Sequence, residues 1–569
     1  MSKKYKGQRY VNQKRTEENR ITKLHLDLIG IKSTEMINEW YKKARADKYR
    51  IDGILQACEM LRKYKEKHIY IFGDYDVDGI CATSILMKGF AWTGFKNAHY
   101  RTPHRFTEGF GMAKTMVDEI EYSDSLIITV DNGIAANDTV RYAKEKGFTV
   151  IVTDHHEPNV ENGEVVLPEA DLIIDPKAIP GSADYDGYCG AGIAYKIAKC
   201  LLGNDRRINL LLPLAALATV CDQMPLTEEN YYFVRQGFSL LNKEVPCMLM
   251  GMKVLGNVLG ISYWDVTAFG FGIGPAINAP ERLENGGAVK SIRLMLTDDA
   301  ETCRAMALEL KEYNEKRKAV VAEATAKTME IIDKSSISYP IIVYNPDIGE
   351  GIIGIIAGKV VEKYGVPAGI FTKSDNQDIL KGSFRSTDDY NIKAHLDMCG
   401  DDFICDPEDE SETDDEKKKK VGGHAGAAGA SVRRDMFEKM CRDLCAVSKR
   451  PENIEENIRY YDADITADKV SPALVENEKF QPFGNGNPNL RFRISGFKVI
   501  PNRYGEIKKH LAKDGIRIHS TYCDAVGFGL WGICEKITKP MTVTLYGEIS
   551  YNRFNGKVTP QIIFDDIEY

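Results

Sequence analysis

No uninterrupted apolar run in the 569-residue sequence is long enough to cross a bilayer, and Met1 to Arg20 is polar and basic without the apolar core of a secretory signal. A membrane role is therefore not expected, and the cytoplasm is the expected location. Paired cysteine spacing is also missing. The 13 cysteines are odd in number, scattered and without a C-x-x-C, a pattern of reduced thiols rather than a disulfide framework or zinc site. Cys441 and Cys445 share an expected helix face and read as packing. Positive charge is in short supply: the net charge of -8 argues against a protein that coats nucleic acid through its overall charge, while leaving room for a local groove. Ten of the sixteen residues in 401–416 are Asp or Glu and 417–420 are lysines, so this segment carries 10 − 4 = 6 of the 8 excess negative charges. Its composition cannot bury enough apolar surface to order itself, which makes it a solvated loop. A nucleotide loop is lacking as well. The glycine-rich run Gly349 to Lys359 has no glycine five positions before Gly358, and Val360 stands where a hydroxyl residue is required.

What is present is enough for several cores, since 43% of the residues are hydrophobic, and a chain of this length is expected to divide into three or four domains. The most chemical stretch is a short apolar strand, Ile69 to Phe72, that breaks into Gly73-Asp74-Tyr75-Asp76-Val77-Asp78-Gly79. Alternate residues of an extended segment point the same way, so Asp74, Asp76 and Asp78 are expected to aim their carboxylates at one point, which is costly without a cation. D-x-D-x-D-G also opens a calcium EF-hand loop. That loop needs a bidentate acid at its twelfth position and a helix in front, whereas here Ile85 holds that position and a strand precedes. A solvated acidic turn is the plain alternative, displaced only if other segments supply further ligands.

They do. Helical periodicity covers roughly 21–65, and from His68 to about Asp175 strands at 68–73, 97–101, 126–130, 149–153 and 171–174 alternate with helices at 80–91, 112–120 and 135–146, implying a mainly parallel sheet with helices on both faces. The second acidic motif, Asp131-Asn132-Gly133, follows the third strand directly, and Asp154-His155-His156 follows the fourth. Each motif thus sits at the carboxyl edge where open parallel sheets gather ligands. Asp-Asn-Gly alone is usually a turn and a histidine pair alone is usually structural; three strand ends acting together are a site. After a Gly-rich helix start at Cys189 to Gly192, an apolar helix over 208–221 delivers Asp222 ahead of Pro225.

D-Y-D-V-D-G (74–79), D-N-G (131–133), D-H-H (154–156) and T-V-C-D-Q-M-P-L (219–226), in that order, resemble the four motifs of the DHH phosphoesterase superfamily. G-P-A-I-N-A-P-E-R-L (274–283), G-S-F-R-S (382–386), G-G-H-A-G-A-A-G (422–429) and P-F-G-N-G-N-P (482–488) extend the resemblance to its RecJ group of single-stranded-DNA exonucleases, from about residue 65 to the C-terminus. The implied architecture is α/β: an N-terminal tail and helical lead-in (1–64), a DHH catalytic domain (65–299), a connecting helix (300–335), a smaller DHHA1-type substrate-binding α/β domain (336–450) with the acidic insert 401–420, and a linker with an OB-fold-like β-barrel (451–569). The last 90 residues do show β-type alternation, and Tyr551, Arg553, Phe554 and Lys557 interleave aromatic and basic side chains on an expected hairpin, suited to stacking bases while following phosphates; ordinary barrel packing is the alternative.

By resemblance, Asp74, Asp76, Asp78, Asp131, His155 and Asp222 hold two divalent ions with Asp131 bridging, and oxygen ligands with one imidazole suit Mg2+ or Mn2+. His156 is expected to diverge from its neighbour and to contact a phosphate oxygen. Asn132 is expected to orient Asp131, and Asp154 to hold the histidines. Asn278, Arg282, Arg385, Ser386, Gly423 and His424 are the implied substrate-binding residues. The implied reaction is 5′→3′ hydrolysis of single-stranded DNA to mononucleotides in repair or recombination, by a monomer with a single-strand-binding protein or helicase as further partner. The alternatives are a DHH phosphodiesterase of short oligonucleotides or cyclic dinucleotides, or a pyrophosphatase, for which the terminal barrel is superfluous, and a catalytically silent DNA-binding scaffold, for which loss of the aspartates is the expected mark. Three positions depart from the usual pattern: Ala276 where a larger or basic residue is common, Glu281 where glycine is common, and Gly349 where histidine is common.

Overall fold

In a computed structural model, the structure describes residues 10–12, 24, 25, 28 and 49–569, apart from 162, 244–248, 336–337, 375, 388, 400–420, 449–458, 513 and 555–556. The acidic insert and most of the N-terminal tail and lead-in fall outside the described residues. A lead-in helix α1 (Ile54–Lys63) precedes a five-stranded sheet. Its strands are β1 (His68–Gly73), β2 (Asn97–Arg101), β3 (Ser125–Val130), β4 (Thr149–Thr153) and β5 (Leu172–Ile174). The spatial order is β2-β1-β3-β4-β5 and every pairing is parallel. Strand β3, at the centre, is buried along its whole length, as expected of a sheet covered on both faces.

Helix α2 (Val77–Thr93) is apolar nearly all round because the sheet lies on one side and α4 (Gly190–Leu202) and α5 (Leu212–Cys221) on the others. Burying a side chain such as Phe90, which is fully enclosed, contributes roughly 2–3 kcal/mol. The crossing with α4 is tight: a Cβ on Gly89 would stand 3.2 Å from that of Ala198. Between β3 and β4 runs α3 (Asn137–Glu145). Two helices differ from the periodicity. The one expected over 112–120 is confined to Lys114–Asp118, and the one expected from 208 opens as a 3-10 turn over Arg206–Leu211, with Pro213 next to the first residue of α5, since proline fits only the first helical turn.

Helix α6 (Ala300–Asp333) starts at Asp299, whose carboxylate accepts from the Thr302 amide at 2.8 Å. Its buried stripe continues through two cores: Cys303, Ala307 and Leu310 pack on the first domain, Val321, Ala324 and Ile332 on the second. The second domain carries β6 (Ile341–Tyr344), α7 (Ile353–Tyr364), β7 (Ala368–Lys373), β8 (Ile379–Arg385), β9 (Val421–His424), β10 (Ala427–Arg433) and α8 (Phe437–Val447). Its sheet order is β9-β10-β8-β7-β6, parallel only between β6 and β7.

The C-terminal domain is a mixed sheet of seven strands: β11 (Ala463–Thr466), β12 (Phe492–Val499), β13 (Lys508–Leu511), β14 (Gly515–His519), β15 (Asp524–Gly527), β16 (Met541–Phe554) and β17 (Lys557–Glu568). The order is β11-β12-β16-β17-β15-β14-β13. In keeping with the expected OB-like domain, the Ile500–His519 bridge joins the end of β12 to β14 across this sheet. The N-terminal part of the chain reaches this domain: Tyr10–Asn12 pairs in parallel with Arg459–Tyr461, and the His25 ring stacks on Phe480 with centroids 4.3 Å apart.

Candidate metal centre

The acids converge by a route that differs from the sequence expectation. Asp74, Asp76 and Asp78 do not alternate along one extended segment, because α2 begins at Val77. Asp74 follows β1, Asp76 is the N-cap, accepting from the Asp78 and Gly79 amides at 2.8 and 3.2 Å, and Asp78 lies in the first turn. The close turn depends on glycine, since a Cβ on Gly79 would stand 2.4 Å from the Asp74 carbonyl oxygen. Asp78 is held from the far side by the start of α4, whose Gly190 and Ala191 amides donate to its two oxygens at 2.6 and 2.7 Å. Gly190 also makes room for Asp131: its Cβ would stand 2.6 Å from that of Asp131. Asp131 itself takes φ +64, a left-handed conformation that aspartate tolerates better than most residues.

His155 is the hub. Its Nε2 lies 3.0 Å from Asp131, 3.5 Å from Asp78 and 3.6 Å from Asp222. Ligand atoms in three groupings, Asp78-His155-Asp222, Asp74-Asp76-Asp131 and Asp131-Asp154-His155-His156, each lie within 4.8 Å of one another. All six expected ligands are therefore brought together. Asp154 anchors the histidine segment, accepting from the Ile134 amide at 3.0 Å, the His155 amide at 2.8 Å and His156 Nδ1 at 2.7 Å. The histidine side chains do not diverge: their ring centroids are 4.4 Å apart. Nor does Asn132 orient Asp131. Its amide group donates to the Phe72 and Val130 carbonyls, both at 3.0 Å, tying β1 to β3 beneath the site.

Burial, then mutual repulsion, pushes the carboxyls up: Asp78 to about 6, Asp222 to about 8, Asp74 and Asp131 well above the ordinary carboxylate range. Burial drives His155 down to about 3, leaving it neutral with a lone pair to offer. Burial alone would lower His156 too, but its bond to the Asp154 carboxylate, with Asp222 and Asp74 nearby, lifts it to about 9.

Beside the acids lies a group of arginines. Arg282 is pushed down to about 10 by burial and by the neighbouring Arg105 and Arg317, and Arg385 is lowered by burial and by Arg105. Arg105 lies over the Tyr75 ring at 5.0 Å. Like charges crowded into a desolvated place mark an anion site. Glu281, at the glycine-type position, is buried and accepts from the amides of Arg105 at 3.0 Å, Gly286 at 3.4 Å and Ala288 at 2.9 Å; its role is to fix the Arg105 loop. His424 is lowered by burial and by the nearby His156 and Lys177. Gly423 has φ +126, and a Cβ there would stand 2.3 Å from the Ala427 carbonyl oxygen.

Other expected residues are partly committed elsewhere. Arg282 Nη1 donates to the Gly351 carbonyl at 3.1 Å, Arg385 Nη1 to the Phe384 carbonyl at 2.8 Å, and the Ser386 hydroxyl to the Tyr390 carbonyl. Asn278 Oδ1 is buried and unpartnered. On the hairpin, Arg553 does not hang free: it lies over Tyr263 at 4.0 Å and 3.7 Å from Glu478. Tyr551 packs partly on the C-terminal core, Lys557 is exposed, and the Phe554 side chain is outside the described residues. Sequence reasoning passed over Arg105, Arg317, Lys177 and Phe110. Arg105 carried a usable signal, because it follows the end of β2 as the aspartates follow β1 and β3. Phe110 is exposed beside His156, ring centroids 5.4 Å apart, and Tyr75, 6.4 Å.

Fold and site define a chain of the DHH phosphoesterase class. Residues 68–220 match the N-terminal domain of the DHH family, 337–449 the DHHA1 domain and 461–566 the RecJ OB domain. The single-stranded-DNA-specific exonuclease RecJ of Bacillus subtilis is 29% identical over 533 residues, covering 91% of this chain, which spans only 64% of that relative's length. Its namesake from Haemophilus influenzae is 28% identical over 557 residues, 92% of each chain. A crystal structure of exonuclease RecJ bound to manganese superposes with 29% identity and a TM-score of 0.57, over 71% of this chain and 96% of that one. The Thermus thermophilus RecJ structure shares the fold at 24% identity and TM-score 0.77, over 96% of this chain and 76% of that one. The chain thus carries the DHH, DHHA1 and RecJ OB domains in that order and is similar to RecJ proteins along most of its length.

Proposed function

We propose that the protein is a metal-dependent exonuclease that hydrolyses single-stranded DNA from its 5′ end to mononucleotides. The observation that carries this reading is the His155-centred acid cluster with arginines beside it: Arg105 lies over the Tyr75 ring between Asp74 and Asp76, and the charge of Asp76 is felt by the buried Arg282. The names of its relatives support it. The residues fit divalent ions: Asp74 Oδ1 is buried with no partner among the described residues, and His155 is neutral with Nε2 beside three carboxylates. Oxygen donors with one imidazole suit Mn2+ or Mg2+. The proposed ligands are Asp74, Asp76, Asp78, Asp131, His155 and Asp222; Asp131, which shares one grouping with Asp74 and Asp76 and another with His155, would be the carboxylate common to both ions. Bound there, the ions supply Lewis-acid charge and acidify water for in-line attack on phosphorus.

The chain's own residues do the rest. Arg105, Arg282 and Arg385 seat a terminal phosphate, so that the next phosphodiester lies over the acids. Gly423 lets the backbone approach the strand closely, with Asn278, Ser386 and His424 lining the same cleft. His156, kept protonated by Asp154, faces the scissile group and donates charge or a proton to the leaving oxygen. Phe110 offers an exposed ring to a base, and the C-terminal domain extends the path of the strand. The reading divides the chain at 65–299, 300–335, 336–450 and 451–569, and includes monomeric action in the cytoplasm during repair or recombination, with a single-strand-binding protein or helicase as partner. No observation favours a dinucleotide phosphodiesterase or a silent scaffold: all the acids are present, and the third domain is docked on the first.

The test is to incubate the protein and Asp131→Ala with 5′-labelled single-stranded DNA, the matching duplex and a dinucleotide in Mn2+. Mononucleotide release from the single strand is expected, with a drop of more than about 1000-fold in the variant, about 4 kcal/mol of lost transition-state stabilisation. Equal cutting by the variant rejects the metal assignment, and a preference for the dinucleotide rejects the substrate.

A further inference from the structure

Of the six acid-cluster side chains, Asp222 has the least support from the sheet. It caps the end of α5, and its side chain is 31% exposed where Asp78, Asp131 and His155 are 5% or less. The next residue, Gln223, takes φ +53, a conformation that side-chain-bearing residues resist unless their surroundings impose it. The surroundings here come from another domain. Asn485, in the turn 482–488, donates its side-chain amide to the Gln223 carbonyl at 2.7 Å, and its own carbonyl accepts from the Leu226 amide at 2.7 Å. The turn can come this close because it has no side chains at two positions. A Cβ on Gly484 would stand 2.7 Å from Leu226 Cδ1, and one on Gly486, which has φ +71, would stand 3.0 Å from Thr227 Cγ2.

The turn is braced from within and from behind. Asn487 donates its side-chain amide to the Phe480 and Pro482 carbonyls at 2.9 and 2.7 Å, while its Oδ1 lies 3.0 Å from His25 Nε2. On the catalytic side, the Tyr231 hydroxyl donates to the Gln481 carbonyl at 2.8 Å, and Asn230 donates to the Pro225 carbonyl at 3.0 Å. Residues 223–227 are therefore clamped between two domains one step beyond Asp222.

We infer that the 482–488 turn of the C-terminal domain is a positioning element of the metal centre, with Asn485 fixing the backbone that aims Asp222. This rests on the proposed metal role of Asp222 and gives the third domain a task besides holding the strand. Loss of a group that orients a metal ligand weakens metal binding by about tenfold. Asn485 is exposed on the turn, so replacing it leaves the cores intact.

The experiment compares full-length protein with Asn485→Asp, which keeps the size but removes the donor, and Asn485→Gln, which keeps the amide. Mn2+ titration calorimetry, single-strand affinity in EDTA and thermal unfolding are measured for each. The expected result is one Mn2+ bound about tenfold more weakly by Asn485→Asp, an activity that returns at high Mn2+, partial recovery in Asn485→Gln and unchanged strand affinity in EDTA. Unchanged Mn2+ affinity in Asn485→Asp overturns the inference, as does a loss confined to strand affinity. Wild-type protein that binds no Mn2+ overturns the proposed function along with it. Should Asn485→Asp unfold early, Gly484→Ala, which pushes on the Leu226 side chain, must weaken Mn2+ in the same way or the inference falls.

Discussion

The two charged walls of the cleft are built by opposite rules. The acidic wall is local: Asp74, Asp131 and Asp154 follow three adjacent strands of one parallel sheet, and the start of α4 locks Asp78 against them. The cationic wall is assembled at long range, from the loop after β2 (Arg105), the segment before residue 283 (Arg282), the connecting helix (Arg317) and a strand of the second domain (Arg385). A rigid sheet edge fixes ligands to within fractions of an ångström, which metal chemistry demands. A wall shared between domains holds an anion only while those domains face each other.

That difference can be broken experimentally. Arg385→Ala should leave Mn2+ affinity unchanged and lower single-strand cleavage about 100-fold, the scale of one charge-assisted contact at roughly 2–3 kcal/mol. The loss should be smaller on 5′-hydroxyl ends than on 5′-phosphate ends. Kinetics on the two ends beside Mn2+ calorimetry decide it; weakened Mn2+ binding would mean that the walls are not separate.

The same contrast explains what was legible in the sequence. The parallel sheet and acid cluster could be read because hydrophobic alternation sets the strands and each acidic motif abuts a strand end, so short-range pattern and site coincide. The triad's local shape was misjudged because Asp76 turns the chain into a helix by capping its own amides, an outcome that alternation cannot reveal. The histidine rings face one pocket for a similar reason: Asp154 bonds both backbone amides and one ring, overriding the divergence of an extended segment. Arg105 was passed over although it follows a strand end, because the residues that give it meaning, Arg282 and Arg385, are far along the chain. The hairpin pattern could not show where Arg553 rests, because its partners, Tyr263 and Glu478, belong to other elements.

The acidic wall should also announce itself in stability. With metal removed, Asp222 and His156 hold protons to about 8 and 9, above their unfolded values of roughly 4 and 6.5. The folded state then binds more protons than the unfolded state, so its stability falls as pH rises through this window. Between pH 6.5 and 8.5 the first unfolding transition in EDTA should drop by roughly 10 K, and Mn2+ should abolish the drop, because the ions favour ionised carboxylates. The low value of His155 acts only below this range, where it costs stability as pH falls. Calorimetry at several pH values, with and without Mn2+, tests this. A flat profile in EDTA would show that the carboxylates are not crowded together as described.

The smallest effect is expected where the sequence promised a DNA contact and the structure shows a domain contact. Arg553 lies over Tyr263 at 4.0 Å and beside Glu478 at 3.7 Å, a cation–π and ion-pair arrangement contributing about 1 kcal/mol. Lys557, on the facing strand β17, is exposed. Arg553→Ala should therefore lower single-strand affinity by no more than about threefold, leaving the slope of log affinity against log salt unchanged, whereas a side chain engaged with phosphate would reduce that slope by about 0.7 when removed. Lys557→Ala is the paired measurement, since it removes a cation from the same hairpin without touching Tyr263. If Arg553→Ala alone flattens the slope, the guanidinium leaves Tyr263 when DNA arrives, and the cationic wall extends onto the third domain.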